Sequence, residues 1–342
     1  MPPSTLPTRK IGGISVSAIG FGAMNIGGAY GPVGDDEERF KILDAAYEAG
    51  CTMWDTADRY LDSEDLIGKW FKRTGKRNDI FLATKFGIVG TKPGDRLIDG
   101  SKEYARQSVE KSLKRLGVDC IDLYYLHRTD VNVPIEETVG AMAEFVKEGK
   151  VKLLGLSEVS SATLRRAHAV HPIAAVQVEY SPFTLDIEDP KIALLETCRE
   201  LGVTVVAYSP LGRGLLTGRF KSPDDFEAKD FRRLVERYNA KNFPNILKIV
   251  DALGETGKKY GGATSGQVAL AWLLAQGEDI IPIPGTTKLK YLEENLGAAK
   301  LRLSEEDVKN VRELAVAADA QQGDRYPAGF METLFVETPL PV

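Results

Sequence analysis

The 342-residue chain is 43% hydrophobic and 27% charged, close to the average for soluble globular proteins, with a net charge of −5. That balance excludes a basic footprint for nucleic acid, so any anionic ligand has to be held by local groups. No apolar run reaches the roughly 18 residues of a membrane span, and the opening residues 1–10 lack the apolar stretch of a secretory signal, so a cytoplasmic protein is expected.

In chain order, residues 8–17 read as a two-strand hairpin around Gly12-Gly13, placed to plug a barrel at the end away from its chemistry. Eight short runs rich in β-branched, aromatic and aliphatic residues follow, as strands buried on both faces should be: 18–22, 52–55, 80–85, 121–127, 151–157, 175–180, 204–209 and 280–284. Helical patterns separate them, such as Val139, Met142, Ala143 and Val146 on one face, or the segment from Ser101 towards Leu116. Gly50, Gly117, Gly149 and Gly202 stand where helices turn back into strands. Eight βα units without a composition break predict an α/β fold, a (β/α)₈ TIM barrel in one domain over 1–342 with a C-terminal tail at 319–342. Residues 265–276 and 304–317 add two helices, and the long connection from Leu211 to about Pro244 is expected to cover a ligand. The three cysteines, Cys51, Cys120 and Cys198, are odd in number and far apart, which predicts reduced thiols in apolar packing, and no metal site is expected.

Three successive strand runs end on ionisable residues, Asp55, Lys85 and His127, and Tyr60 lies five residues beyond the first. Barrel geometry brings strand ends to one mouth, and these side chains suit proton transfer to a carbonyl, since no Ser or Cys sits beside a base. An ammonium about 4 Å from a tyrosine contributes roughly 4 kcal/mol, or ~3 pKa units, which would bring Tyr60 from ~10 towards 7. Asp55 would keep Lys85 charged while partly offsetting its effect on Tyr60, and His127 would orient the substrate oxygen. Taken singly, Asp55 could cap a helix, Lys85 end a strand in solvent, Tyr60 pack a loop and His127 sit satisfied in the core; four at successive strand ends favour a joint role.

Together these motifs resemble the aldo-keto reductase superfamily over nearly the whole chain: Asp55-Thr-Ala-Asp-Arg-Tyr60, Thr84-Lys85, Asp122-Leu-Tyr-Tyr-Leu-His127, Gly155-Leu-Ser157, Gln177, Tyr208-Ser-Pro-Leu-Gly-Arg-Gly214 and Ile283-Pro-Gly-Thr-Thr-Lys288, then Glu293-Glu-Asn295. The branch is similar to perakine reductase and the fungal YakC-like aldehyde reductases. The resemblance implies a (β/α)₈ fold, NADPH as hydride donor, a small carbonyl substrate, and Asp55, Tyr60, Lys85 and His127 as catalytic residues with Tyr60 as general acid. It further implies Ser157 and Gln177 on the nicotinamide carboxamide and Tyr208 stacked on the ring. Ser209, Leu211, Gly212, Arg213 and Gly214 would then run along the pyrophosphate, with Glu294 and Asn295 near the adenine. Glu158 departs from the asparagine of many relatives.

From the residues themselves, Gly20-Phe-Gly22-Ala-Met-Asn25 is no dinucleotide fingerprint, because Asn25 replaces the third glycine. Gly285, Thr286, Thr287 and Lys288 instead follow the eighth strand and open a helix, a position where barrels bind phosphate, and Lys288 suits a 2′-phosphate. Met24, counted with the coenzyme contacts, and Trp54, Arg59, Arg128 and the tail 323–331 are candidate pocket walls, while strand alternation reads Trp54 equally as a core residue and the aromatic tail equally suits docking on the barrel. Two other readings stay open: a Schiff-base lyase with Lys85 as nucleophile, and a redox-sensing subunit of the channel β-subunit type. The oligomeric state is left open.

Overall fold

The computed structural model describes residues 6–28, 31–90, 97–228, 230–319, 323–327 and 329–341. Strands β1 (Thr8–Ile11) and β2 (Ile14–Ser17) form the expected antiparallel hairpin, whose turn residues Gly12 and Gly13 have φ of 54° and 85°. Two consecutive left-handed residues make a turn that matches the twist of the flanking strands, which glycine adopts at no steric cost.

Eight parallel strands follow: β3 (Phe21–Gly22), β4 (Met53–Asp55), β5 (Phe81–Phe86), β6 (Ile121–Leu126), β7 (Val151–Ser157), β8 (Ile173–Glu179), β9 (Thr204–Tyr208) and β10 (Ile280–Pro282), each paired with the next. The Gly20 N–H donates to Pro282 O at 2.9 Å and the Gly22 N–H to Pro284 O at 3.2 Å, joining the last strand to the first. Pro282 and Pro284 have no N–H to offer, and here they serve as acceptors. The first strand is shorter than 18–22 because only Phe21 and Gly22 pair with β4, opposite Trp54 and Asp55. The sixth starts earlier than Ala175, at Ile173.

Helices α1 (Asp36–Glu48), α2 (Ser63–Thr74), α3 (Lys102–Leu116), α4 (Ile135–Lys147), α5 (Ser161–Val170) and α6 (Leu194–Leu201) alternate with these strands. The connection after β9 is a chain of 3₁₀ turns leading into α7 (Phe243–Lys259), and α8 (Ser265–Ala275), α9 (Leu289–Gly297) and α10 (Glu305–Asp319) complete the layer. Ser101 starts α3 as expected, its hydroxyl accepting from the Tyr104 N–H, and Gly117 ends it at φ 62°.

Side-chain alternation sorts the strands into two cores. Inside the barrel lie Met53, Phe81, Leu123, Tyr125, Ala175, Val206 and Ile281, and the hairpin's Ile11 and Val16 pack into the same cluster. Room for the Tyr125 ring comes from Gly155, where a Cβ would stand 2.4 Å from a ring carbon. Outside, Trp54, Leu82, Tyr124, Leu154 and Val176 meet the helices. Because β4 runs inward at Met53 and outward at Trp54, it turns inward again at Asp55. Trp54 is therefore not a pocket wall: it is fully buried, its indole N–H donates to Cys51 O at 2.9 Å, and its ring lies 4.7 Å from that of Trp70. All three cysteines are free thiols; Cys51 and Cys198 are buried as expected, whereas Cys120 is half-buried.

Candidate active site

The loop after β4 folds back over the neighbouring strand: the Thr56 N–H donates to Ala83 O at 2.8 Å and the Asp58 N–H to Lys85 O at 3.1 Å. That register carries Tyr60 over Lys85. The lysine is fully buried, and its Nζ lies 2.5 Å from Asp55 Oδ1, 2.7 Å from Thr56 O and 3.4 Å from the Tyr60 hydroxyl. An ammonium has three N–H donors and these are its three acceptors, so the Tyr60 oxygen receives from Lys85 and its own proton is left to donate. The second Asp55 oxygen accepts from Gln177 Nε2 at 2.7 Å. His127, just beyond β6, sets its ring nearly perpendicular to that of Tyr60, with centroids 5.8 Å apart. Its Nδ1 is buried with no protein partner among the described residues.

The electrostatics differ in one respect from the expectation. Burial pulls the Lys85 pKa down, but Asp55 and Tyr60 more than offset it, and the ammonium is held above its ordinary value. Tyr60 is not brought towards 7. Burial penalises its phenolate by more than Lys85 favours it, and Asp55 works in the same direction as burial, so its pKa lies above the usual value. The ~4 kcal/mol assigned to a lysine at this distance counts the ammonium alone, whereas here a carboxylate 2.5 Å from Nζ cancels much of its field. His127 is driven well below the usual range by burial and then by Lys85, Arg128 and Arg59, which fixes a neutral imidazole.

The remaining residues fall into three groups. Arg128 is buried, and its Nη1 donates to His127 O at 2.7 Å and Ser157 Oγ at 3.2 Å, tying β6 to β7; Arg59 is exposed at the rim and Met24 is half-buried. Gln177 is engaged with Asp55, so it reaches the proton-donor side as well as the strand ends where a carboxamide was expected. At the end of β10, Asn25 Nδ2 pins Gly285 O at 3.2 Å, and the Lys288 N–H bonds the Thr286 hydroxyl at the start of α9. Thr287 and Lys288 are exposed and line a cavity of about 100 Å³ with Ile26, Val33 and Arg39. Asn295 is buried, and Glu294 accepts from the Thr264 hydroxyl at 2.6 Å.

Beside β7–β9 stands a charge cluster that the sequence did not disclose. Glu158 is fully buried, accepts from the Tyr208 hydroxyl at 2.7 Å, and is paired to Arg325 of the C-terminal tail at 3.1 Å. Arg325 also reaches Asp186 at 2.7 Å and Glu179 at 3.6 Å. Burial raises the Glu158 pKa, but Arg325 and Arg128 outweigh it, and the net shift is downward. Arg213 bonds Glu179 at 3.2 Å and lies over the Tyr326 ring, while the Tyr326 hydroxyl meets that of Tyr208 at 3.1 Å. Its neighbours Gly212 and Gly214 share its positive φ, and Ser209 and Leu211 are half-buried beside them. The tail thus docks through Arg325 and Tyr326. The one available signal was Glu158 and Glu179 at the ends of apolar strands, since a buried carboxylate requires a cation.

The family model described as the aldo/keto reductase family matches residues 18–316. The chain is 65% identical over 325 residues to aldo-keto reductase str7 of Strobilurus tenacellus, covering 94% of this chain and 95% of the relative. It is 49% identical over 338 residues to aldo-keto reductase yakc [NADP(+)] of Schizosaccharomyces pombe, covering 98% of each. Among solved structures, a glycerol dehydrogenase from Gluconobacter oxydans superposes with a TM-score of 0.82 at 28% identity, covering 93% of this chain and 98% of that one. The thermostable aldo-keto reductase Tm1743, solved with the inhibitor epalrestat, gives 0.73 at 32% identity, covering 90% and 100%. A barrel with these charged strand ends, matched from the first barrel strand to α10, places the chain in the aldo/keto reductase family of oxidoreductases.

Proposed function

We propose that the protein reduces aldehydes or ketones to alcohols with NADPH, and that Tyr60 is the general acid. The observation that carries this is the three-way saturation of the Lys85 ammonium by Asp55, Thr56 O and the Tyr60 hydroxyl, which leaves the phenol proton as the group free to move. The residues at and just beyond the ends of β7 to β10 fit the coenzyme: cations at Arg213 and Lys288, hydroxyls at Ser157 and Thr286, and an aromatic ring at Tyr208. A reduced nicotinamide held by these residues would supply the hydride for the carbonyl carbon. Tyr60 gives its proton to the carbonyl oxygen as negative charge develops, and Lys85 offsets part of the cost of the buried phenolate left behind. Neutral His127, its ring set edge-on to that of Tyr60, would help to orient that oxygen. The charged, ion-paired state of Lys85 speaks against a Schiff-base role, which needs a free amine.

The test is Tyr60→Phe, assayed by NADPH absorbance over an aldehyde panel and by coenzyme fluorescence titration. Loss of ~10²–10⁴ in kcat with NADPH affinity within about twofold is expected. Retention of more than about a tenth of kcat would contradict the acid role.

A further inference from the structure

We propose that Arg115, in the last turn of α3, is a positioning residue for Tyr60, a reading that rests on Tyr60 as the proton donor. Its side chain is 15% exposed and makes four hydrogen bonds, with a further ion-pair contact to Asp65. Nη1 bonds Asp58 O at 3.0 Å and Glu64 Oε2 at 3.0 Å; Nη2 bonds Leu61 O and lies 2.7 Å from Asp65 Oδ2, which also accepts from Nε at 2.9 Å. The two carbonyls bracket Arg59 and Tyr60. One planar group therefore fixes the chain immediately before and after the phenol.

The loop needs such a fixture. Leu61 leaves Tyr60 with φ at 51°, a left-handed conformation leucine rarely adopts, and its side chain is 63% exposed, so packing does not hold it there. The opposite side is already closed: a Cβ at Gly27 would lie 2.3 Å from Tyr60 O. The same guanidinium reaches the lysine strand as well, because Glu64 is fully buried and accepts from the Thr84 hydroxyl at 2.7 Å, one residue before Lys85. The Arg115 backbone packs directly on the facing helix α2, where its carbonyl would be 2.4 Å from a Cβ at Gly68, so only glycine admits the approach. Arg115 thus sets the spacing between the Tyr60 hydroxyl and Lys85 Nζ through the backbone on one side and Glu64 on the other. A lysine has neither the fork nor the planarity to replace it.

The experiment compares Arg115→Ala, Arg115→Lys, Asp65→Asn and Tyr60→Phe in the full chain, reading kcat with p-nitrobenzaldehyde, NADPH affinity by fluorescence and thermal unfolding. Displacing a reacting group by about 1 Å costs on the order of 10²-fold, so Arg115→Ala should lower kcat by about 10- to 100-fold with NADPH affinity within about twofold. Millimolar guanidinium should restore part of that rate. Arg115→Lys should recover little, and Asp65→Asn should stay within about twofold of wild type, because Asp65 touches neither carbonyl. A folded Arg115→Ala enzyme with wild-type kcat would overturn the proposal, as would equal losses in kcat and NADPH affinity without guanidinium rescue. If the alanine variant does not fold, full kcat in Arg115→Lys overturns it. Substantial activity in Tyr60→Phe would instead sink the acid assignment, whatever Arg115 does.

Discussion

Removing the Lys85 charge tests the buried pair directly. Lys85→Met keeps the side-chain length and leaves Asp55, 1% exposed, with one neutral partner, the Gln177 amide at 2.7 Å. A buried carboxylate without its cation is relieved by taking up a proton. Holding an acid of ordinary pKa ~3.9 protonated at pH 7 costs about 1.4 kcal/mol per pH unit over roughly three units, about 4 kcal/mol. That agrees with the roughly 3–5 kcal/mol lost when one partner of a buried pair is removed. The sign follows from linkage: Asp55 in the variant has a folded pKa raised above its unfolded one, so the native state binds the extra proton. The pair's loss is then least felt at low pH and grows as pH rises from about 4 towards the folded pKa. At pH 5 the deficit should shrink to about 1.5 kcal/mol. With an unfolding entropy of about 2.1 cal/mol/K per residue, the expected drop in Tm is about 6 °C at pH 7 and about 2 °C at pH 5. Calorimetry at both pH values measures it, and Asp55→Asn/Lys85→Met should regain most of the stability while staying inactive. A deficit independent of pH, or a double variant as unstable as the single one, would refute the ion pair as the source of the effect.

Lys288→Ala should weaken NADPH by ~10- to 150-fold and NADH little, the scale of a charge-assisted bond to the 2′-phosphate, as read by fluorescence titration; equal losses would move that site elsewhere. His127 refuses a proton that the unfolded chain accepts near pH 6.5, so its neutral burial lowers stability as pH falls below that value, by up to about 1.4 kcal/mol per unit. His127→Asn should therefore show a flatter Tm profile between pH 7 and 5 than wild type, and identical profiles would mean that the folded imidazole is charged.

The parallel strands were legible because burial on both faces writes continuous apolar runs, and their ends because a charged residue closes each run at the mouth. The hairpin plug was legible from Gly12-Gly13 alone. Trp54 was legible only as a choice between core and pocket, since β4 is three residues long; its register opposite Phe21 and Leu82 decides that Met53 and Asp55 point inward and Trp54 into the core. The Tyr60 titration failed for a different reason: sequence placed a lysine beside it but carried no measure of how deeply the phenol would be buried, nor of how closely Asp55 would sit to Lys85. Arg115 was hidden because the acceptors that flank Tyr60 are backbone carbonyls more than fifty residues away. Carbonyls leave no trace in composition.

The tail cluster answers the question raised by a chain of net charge −5 that must hold an anion. Around the mouth, Lys85 is matched by Asp55, Arg325 by Glu158 and Arg213 by Glu179, while Arg237 faces Asp186. Arg128 is the fifth cation, and its hydrogen bonds go to two neutral oxygens, His127 O and Ser157 Oγ. Among these groups, leaving aside Arg59 at the exposed rim, five cations against four carboxylates leave one positive charge, next to the imidazole and at the strand end where the nicotinamide is proposed to lie. The pairs cost little in net field but hold the guanidinium groups rigid, which matters for recognising planar or phosphate oxygens. Because Arg325 comes from the tail, this balance is completed only when residues 323–327 are docked: without Arg325 the same groups stand at four cations against four carboxylates, and the surplus positive charge is cancelled. The tail's part in the site is therefore electrostatic as well as steric.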